Sequence, residues 1–397
     1  MATEIESVAI RTPPPPKEFA LWNLGFRPFY LLASSYAALV VLFWALQYAG
    51  AIPAALARSP AWHGHEMLFG YTLAVVAGFL LTAVRNWTSR PTPAGVPLML
   101  MAALWVAGRM LVLTPWATAA AVVNAAFPVA VAIGIGIPIV RSRNQRNYFF
   151  VALMLLLGLA VVAFHLGSLG MLTWPQRASL QVGLDVVLFI LAVMGGRVIP
   201  MFTNNGVPGV AATRHPVLEK LALGGVLVLL AADVLQWAPG VVGAIALVVA
   251  AVHAARLYLW QPWLTFGTPI VWVLHVAYAW IVVHLVLRGL AALGLPGELL
   301  AIHALTIGAI GGMTIGMMTR TARGHTGRPL VADRFEVVCY VLVALAAAIR
   351  VFGGMLLPGA YVATVVVSAL CWSAAFALYA ERYWPVLVRP RLDGKPG

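Results

Sequence analysis

Charge is scarce in this 397-residue chain: Asp, Glu, Lys and Arg together make up 9% of it. A soluble domain carries about a quarter charged residues, so there is too little polar surface here to keep a globule dissolved. That excludes the two or three soluble domains suggested by length alone. Cysteine is nearly absent. Cys339 and Cys371 both sit in apolar runs, which excludes a disulfide scaffold and a cysteine-ligated cluster. Acids number 12 against 25 Lys and Arg, but the excess positive charge is spread over short segments between apolar runs. This excludes the concentrated basic surface of a nucleic-acid-binding protein. What is present is apolar: 62% hydrophobic residues and a mean hydropathy of +0.94. The composition describes an all-α, polytopic transmembrane helical bundle.

The first 27 residues are polar and proline-rich (Pro13 to Pro16), without an apolar h-region, so no cleaved signal peptide is expected. Apolar runs of roughly 20 residues, the length that crosses a bilayer, then recur twelve times. The first six are Phe29 to Tyr48, Met67 to Val84, Pro97 to Leu113, Ala117 to Val140, Tyr148 to Gly170 and Ala178 to Met194. The second six are Leu221 to Trp237, Val241 to Leu259, Pro269 to Leu287, Leu299 to Thr319, Phe335 to Val351 and Ala360 to Ala380. With a cytoplasmic N-terminus, all Lys and Arg fall on the cytoplasmic side except Arg58, Arg177, Arg288 and Arg350, plus Arg109 within a span. The positive-inside rule requires such an asymmetry, and one missed span would scramble it. The expected layout is a cytoplasmic segment 1–28, one transmembrane domain 29–380 and a cytoplasmic tail 381–397, with no internal repeat. A multi-pass protein of a bacterial inner membrane fits this layout.

Ionisable groups in lipid are costly and face the bundle interior or a cavity, so the nine histidines become informative. On this topology His63, His65, His165, His284 and His303 come from four helices to one depth in the outer half, while His275 lies nearer mid-membrane. Only His215, His253 and His325 lie toward the cytoplasm. Imidazole is the commonest side chain for holding haem iron, copper or zinc in a helical bundle. In Trp62-His63-Gly64-His65-Glu66-Met67, a helix would put His63 and Glu66 on one face and turn His65 elsewhere. The segment reads as metal ligands with a carboxylate that orients an imidazole or carries a proton, or else as a polar interfacial turn.

Span ten carries Gly308, Gly312 and Gly316 at every fourth residue. The stripe suits close helix packing, or else a flat surface for a porphyrin. Beyond it, Arg320, Arg323, His325 and Arg328 crowd the cytoplasmic end, with Gly324 placed like a helix C-cap. Topology and capping account for these cations, and an anionic group or quinone head is the functional alternative. Gly195-Gly196-Arg197-Val198-Ile199-Pro200 is expected to break span six in the same way. Glu66, Asp185 and Asp233 are candidates for a proton path, or for pairing with a buried arginine such as Arg109. His275 and Tyr278, one turn apart, suit a redox tyrosine or an ordinary packing pair.

The run Leu21-Trp22-Asn23-Leu24-Gly25-Phe26-Arg27-Pro28-Phe29, the WHGHEMLFG stretch from Trp62, Asn86-Trp87-Thr88, GGRVIPMFTNN from Gly195, and His303 to Leu330 ending RGHTGRP together resemble the NnrS family. The resemblance implies a twelve-helix bacterial inner-membrane protein containing haem and copper, tied to denitrification and the response to nitric oxide. It carries over His63, His65, Glu66, His303, Arg320, Arg323, His325 and Arg328.

Joined to the histidine pattern, the resemblance gives an expectation of one or two haem b groups, with axial ligands drawn from His63, His65, His165, His284 and His303. Copper or a second metal would be held among His63, His65, His275, His284 and His303, and Arg58, Arg177, Arg288 or Arg350 would pair with haem propionates. The expected activity is that of an oxidoreductase like a nitric oxide reductase, taking electrons from quinol with Glu66 supplying protons. The alternatives are a secondary transporter exporting a metal or metal–nitrosyl complex, and a haem sensor of nitric oxide without turnover. The lipid bilayer and nitric oxide are the expected partners, with no nucleic acid.

Overall fold

A computed structural model describes residues 19–56 and 58–395, so most of the expected N-terminal segment, including Pro13 to Pro16, lies outside the described residues. Among these residues the chain is all helix, in twelve rods: α1 (Phe26–Tyr48), α2 (Pro60–Thr88), α3 (Val96–Leu111), α4 (Ala117–Arg141), α5 (Tyr148–Ser168) and α6 (Gln176–Gly206). The second half contributes α7 (Pro216–Val234), α8 (Pro239–Leu259), α9 (Pro269–Ala292), α10 (Glu298–His325), α11 (Arg334–Leu356) and α12 (Tyr361–Val388). Each corresponds in order to one of the twelve apolar runs. Ten are long and apolar enough to cross a membrane. Of the others, α3 is only 16 residues long, and α7 carries Glu219, Lys220 and Asp233.

Short connections force neighbours in sequence to run antiparallel, and the packing follows a closed circuit: α1, α2, α4, α5, α6, α7, α8, α9, α10, α11, α12 and back to α1. Helix α3 lies outside it against α4. The most apolar stretches of α2 and α6 are 83% buried against 39% for α11, so α2 and α6 are the central rods. The first and last described segments meet at one face, the face of the chain ends, where Ala20 N–H donates to the Val388 carbonyl at 2.8 Å. The Arg27 guanidinium donates there to the carbonyls of Leu387 and Arg389, each at 2.8 Å.

Local chemistry sets the helix ends. Ser59 caps α2 by accepting from Trp62 N–H at 3.1 Å, with Pro60 in the first turn. Asp333 and Glu336 close a capping box on α11. Two expected breaks fall elsewhere. Helix α6 runs unbroken through Gly195 to Pro200 and on to Gly206. The glycine pair instead makes room for side chains of α8 and α9: a Cβ on Gly195 would meet the Tyr278 ring at 3.0 Å, and one on Gly196 would collide with the Arg256 guanidinium. Helix α10 also continues through Gly324, and its stop is Gly327, whose φ of +74° lets Arg328 N–H reach back to Arg323 O at 2.9 Å.

The glycine stripe of α10 is a packing surface. A Cβ on Gly308 would strike Trp280, one on Gly312 would lie 2.8 Å from Ala277 Cβ, and one on Gly316 would lie 2.9 Å from Leu274 and Val273, all on α9. A Gly312→Val substitution is therefore expected to wedge α9 from α10. It should cost about 1–3 kcal/mol, the usual price of overpacking, seen as a lower midpoint of thermal unfolding in detergent. An unchanged midpoint would mean that the two backbones are not in close contact.

Candidate functional site

Three helices leave regular α-geometry near the face opposite the chain ends, each at or beside a singled-out residue. Helix α2 becomes π-helical over Glu66–Thr72, immediately after His65. Helix α10 does so over Ala304–Gly311, immediately after His303, and α11 over Ile349–Gly353, around Arg350. A π-turn holds an extra residue and shifts the angular position of the side chains around it, and such turns recur at functional sites. This shift was not visible in residue spacing.

Its consequence is clearest at α2. The expected pairing of His63 with Glu66 does not form; His65 is the residue that meets Glu66. His65 Nδ1 lies 2.7 Å from Glu66 Oε1, and His65 Nε2 lies 3.1 Å from His165 Nε2 on α5. Because the carboxylate can only accept, Nδ1 carries the proton and the His65 Nε2 lone pair faces His165. Glu66 has no exposed surface. Its Oε2 accepts from Arg109 of α3 at 2.6 Å and from the hydroxyl of Tyr36 on α1, and Arg109 in turn donates to Asn124 of α4. Gly70 is the clearance for this network, since a Cβ there would run into the Arg109 guanidinium and the Tyr36 ring. Tyr36 and Asn124 were missed in the sequence; a lone Asn in the apolar run of α4 was the available signal.

The remaining histidines at this end of the bundle form separate groups. His63 stacks on Trp44 of α1 with ring centroids 4.6 Å apart, and its Nδ1 is buried without a partner. His63 and His303 lie within electrostatic reach of each other and of Arg350. His303 Nδ1 donates to Leu299 O at 2.6 Å. His284 Nδ1 donates to Ala301 O at 2.7 Å, which leaves its buried Nε2 as an unpartnered acceptor. So the five histidines resolve into a His65–His165 pair, a His63–His303 group and His284 by itself. Among the described residues no three His, Cys, Asp or Glu side chains are grouped as a metal site.

Glu66 takes the pairing with the buried Arg109 that the sequence offered, and the other two acids pair with a second arginine. Asp185 accepts from Arg288 at 2.8 Å, and Arg288 also holds Asp233, so both acids are tied to α9. Arg177 pairs with Glu298, Arg58 closes a loop with Gln47, and Arg350 reaches the Tyr361 hydroxyl at 3.3 Å. Arg288, within reach of His284, is thus committed to carboxylates, which leaves Arg350 as the arginine beside His63 and His303. His275 is apart from all of these, with its Nε2 2.8 Å from the Thr203 hydroxyl. Tyr278 does more than pack: its hydroxyl joins His253 Nδ1 at 2.7 Å and Arg256 at 2.8 Å, while Arg256 also grips Glu219 of α7 at 2.8 and 2.6 Å.

At the face of the chain ends the four candidates of the RGHTGRP region separate. Arg320 covers the Phe202 ring at 3.6 Å, Arg323 pairs with Glu336 at 2.8 Å, and the His325 ring lies 5.6 Å from that of Phe26. Arg328 is half-buried, and its Nη1 has no partner.

Removing one member of a buried ion pair leaves the other charge uncompensated, which costs about 3–5 kcal/mol. Glu66→Gln and Arg109→Gln should therefore each destabilise strongly. The double substitution should cost much less than the two added, because no lone charge remains. Thermal unfolding of the four proteins in detergent reads this coupling, and simple additivity would show that the two side chains do not act on each other.

The family model described as NnrS protein matches residues 20–391, and no curated protein matches the chain. The matched stretch holds the His65–Glu66–Arg109 network, the His63–His303 group and the cationic end of α10, and it takes in nearly every described helix. The chain belongs to the NnrS family.

Proposed function

We propose that this multi-pass helical protein holds copper and haem b among its outer histidines and uses them to bind and reduce nitric oxide with quinol-derived electrons. The observation that carries the reading is the His65–His165 pair with Glu66 behind it. Metal–imidazole bonds are about 2.0–2.1 Å long. Two nitrogens 3.1 Å apart therefore fit neighbouring positions on one ion. They are too close to bind opposite faces of one porphyrin, which would need about 4 Å between them. The donor set suits a copper ion, and Glu66 on His65 Nδ1 is the carboxylate that fixes ring and tautomer in metal sites.

For haem, His284 is the best-prepared ligand. Its Nδ1–H is anchored on Ala301 O and its buried Nε2 has no partner, the arrangement of an axial imidazole. His63 and His303 are the further candidates, with Arg350 beside them to meet a propionate. When bound, haem and copper supply nitric oxide binding and one-electron redox chemistry. The chain supplies orientation and proton control. Glu66 stays paired with Arg109 and keeps the His65 Nε2 lone pair directed at His165. A cation held between the two Nε2 atoms would take the place of the proton there, with His165 carrying its ring proton on Nδ1 instead. A small apolar gas reaches this depth through lipid without a polar channel.

The test combines absorption spectroscopy with metal analysis of purified protein. Reduced-state haem bands that shift with nitric oxide are expected, together with copper. His65→Ala and His165→Ala should lower copper and spare the haem bands, while His284→Ala should lose haem. Copper affinity should fall as pH drops, because protons compete for the imidazoles. Metal-free, colourless protein from cells supplied with iron and copper would sink the reading, as would a haem and copper content unchanged in all three variants.

A further inference from the structure

A cleft of about 220 Å³ opens at the face of the chain ends, between the α10–α11 turn and the last turns of α12. Four arginines line it: Arg323, Arg328, Arg382 and Arg389. Its one acid, Glu336, is fully used, accepting from Arg323 at 2.8 Å, the Tyr383 hydroxyl at 2.6 Å and Asp333 N–H at 2.5 Å. Arg382 is paired with Asp333 at 3.0 Å. Arg328 and Arg389 have no carboxylate partner among the described residues, and Arg328 Nη1 is buried without a hydrogen bond. Close by, Arg27 is fully buried with Nε and Nη2 unpartnered, its Nη1 satisfied by main-chain carbonyls alone. Arg328 thus has a buried, unpartnered Nη1 beside the likewise unpartnered Arg27, a costly arrangement of like charges that an anion in the cleft, met also by the exposed Arg389, would relieve.

We infer that this cleft binds the phosphate group of an anionic phospholipid. Planar guanidiniums match phosphate oxygens two at a time, which is why arginine clusters select phosphate. The lipid source follows from position. This face carries most of the arginines, so the positive-inside rule makes it cytoplasmic, and basic clefts between helix ends on that side suit anionic headgroups. The cleft also adjoins a seam between α11 and α12 lined by Phe335, Cys339, Leu378 and Tyr379, with Phe335 47% exposed. The seam itself is closed, but the exposed Phe335 gives an acyl chain an apolar surface to lie against, which free phosphate would not need. Trp384, 57% exposed at the same level, is placed as an interfacial anchor. The inference is independent of the cofactors proposed for the opposite face.

The test uses the full-length protein in detergent, stripped of native lipid. Native mass spectrometry would follow titration with phosphatidylglycerol or with phosphatidylcholine, and thermal unfolding would be measured with inorganic phosphate. Phosphatidylglycerol should be retained at least tenfold more tightly than phosphatidylcholine. Arg328→Gln with Arg389→Gln should abolish that preference, while Arg143→Gln, which removes an exposed charge from another loop of this face, should leave it intact. Arg389→Gln alone, at an exposed side chain, should give a measurable part of the loss even if the Arg328 substitution impairs folding. Stabilisation by phosphate without a lipid preference would keep the oxyanion site and overturn its lipid source. Equal retention of the two lipids without a phosphate effect would overturn the site, as would a preference unchanged in the variants.

Discussion

A charge taken into an apolar bundle must find its counter-charge inside the same chain, and the Glu66–Arg109 pair is where this constraint organises the most structure. Glu66 has no exposed surface and collects donors from three helices: His65 beside it on α2, Tyr36 on α1, and Arg109 on α3, which in turn donates to Asn124 on α4. Helix α3 lies outside the closed circuit of rods, and this network anchors it there. The same rule recurs in Arg288 with Asp185 and Asp233, and in Arg256 with Glu219. Each ties together helices whose apolar surfaces would otherwise pack with little preference for register.

Where the carboxylates go decides what the histidines do. Glu66 fixes the tautomer of His65, and main-chain carbonyls do the same for His284 and His303. In all three, Nδ1 is spent and Nε2 remains. The three π-helical segments, at Glu66, Ala304 and Ile349, gather at the same end of the bundle, and two of them directly follow His65 and His303, shifting those helices' faces from where α-helical spacing would put them. Irregular backbone, buried carboxylate and one-sided imidazoles thus coincide at that end of the bundle. The opposite face is different in kind: it collects guanidiniums, several of them without acids.

The fold was largely legible because its signal is composition repeated over long windows. Twelve apolar runs, separated by short polar or turn-rich connections, require twelve rods whatever their contacts. The glycine stripe of α10 was legible too, since a four-residue period of small side chains has one simple use. Gly195-Gly196 was misread for the opposite reason. Two glycines look like a break, but here they are clearance for Arg256 and Tyr278, which lie 60 or more residues away in sequence. Gly324 was mistaken for the stop actually made by Gly327, because nothing in composition says which glycine takes a positive φ.

The site divides along the same line. The sequence by itself determined which chemistry was available: histidines toward one end of four helices, one acid among them, and arginines concentrated at the other face. Those follow from where apolar runs begin and end. Only the tertiary structure decided the partners: His65 rather than His63 for Glu66, His165 across from it, Arg288 for both Asp185 and Asp233, and Arg328 left without an acid. The physical reason is that hydropathy fixes depth along the membrane normal, whereas hydrogen bonds of 2.6 to 3.1 Å depend on rotation of each helix about its own axis. Local π-turns and distant ion pairs set that rotation, and neither is written in the spacing of residues along one chain.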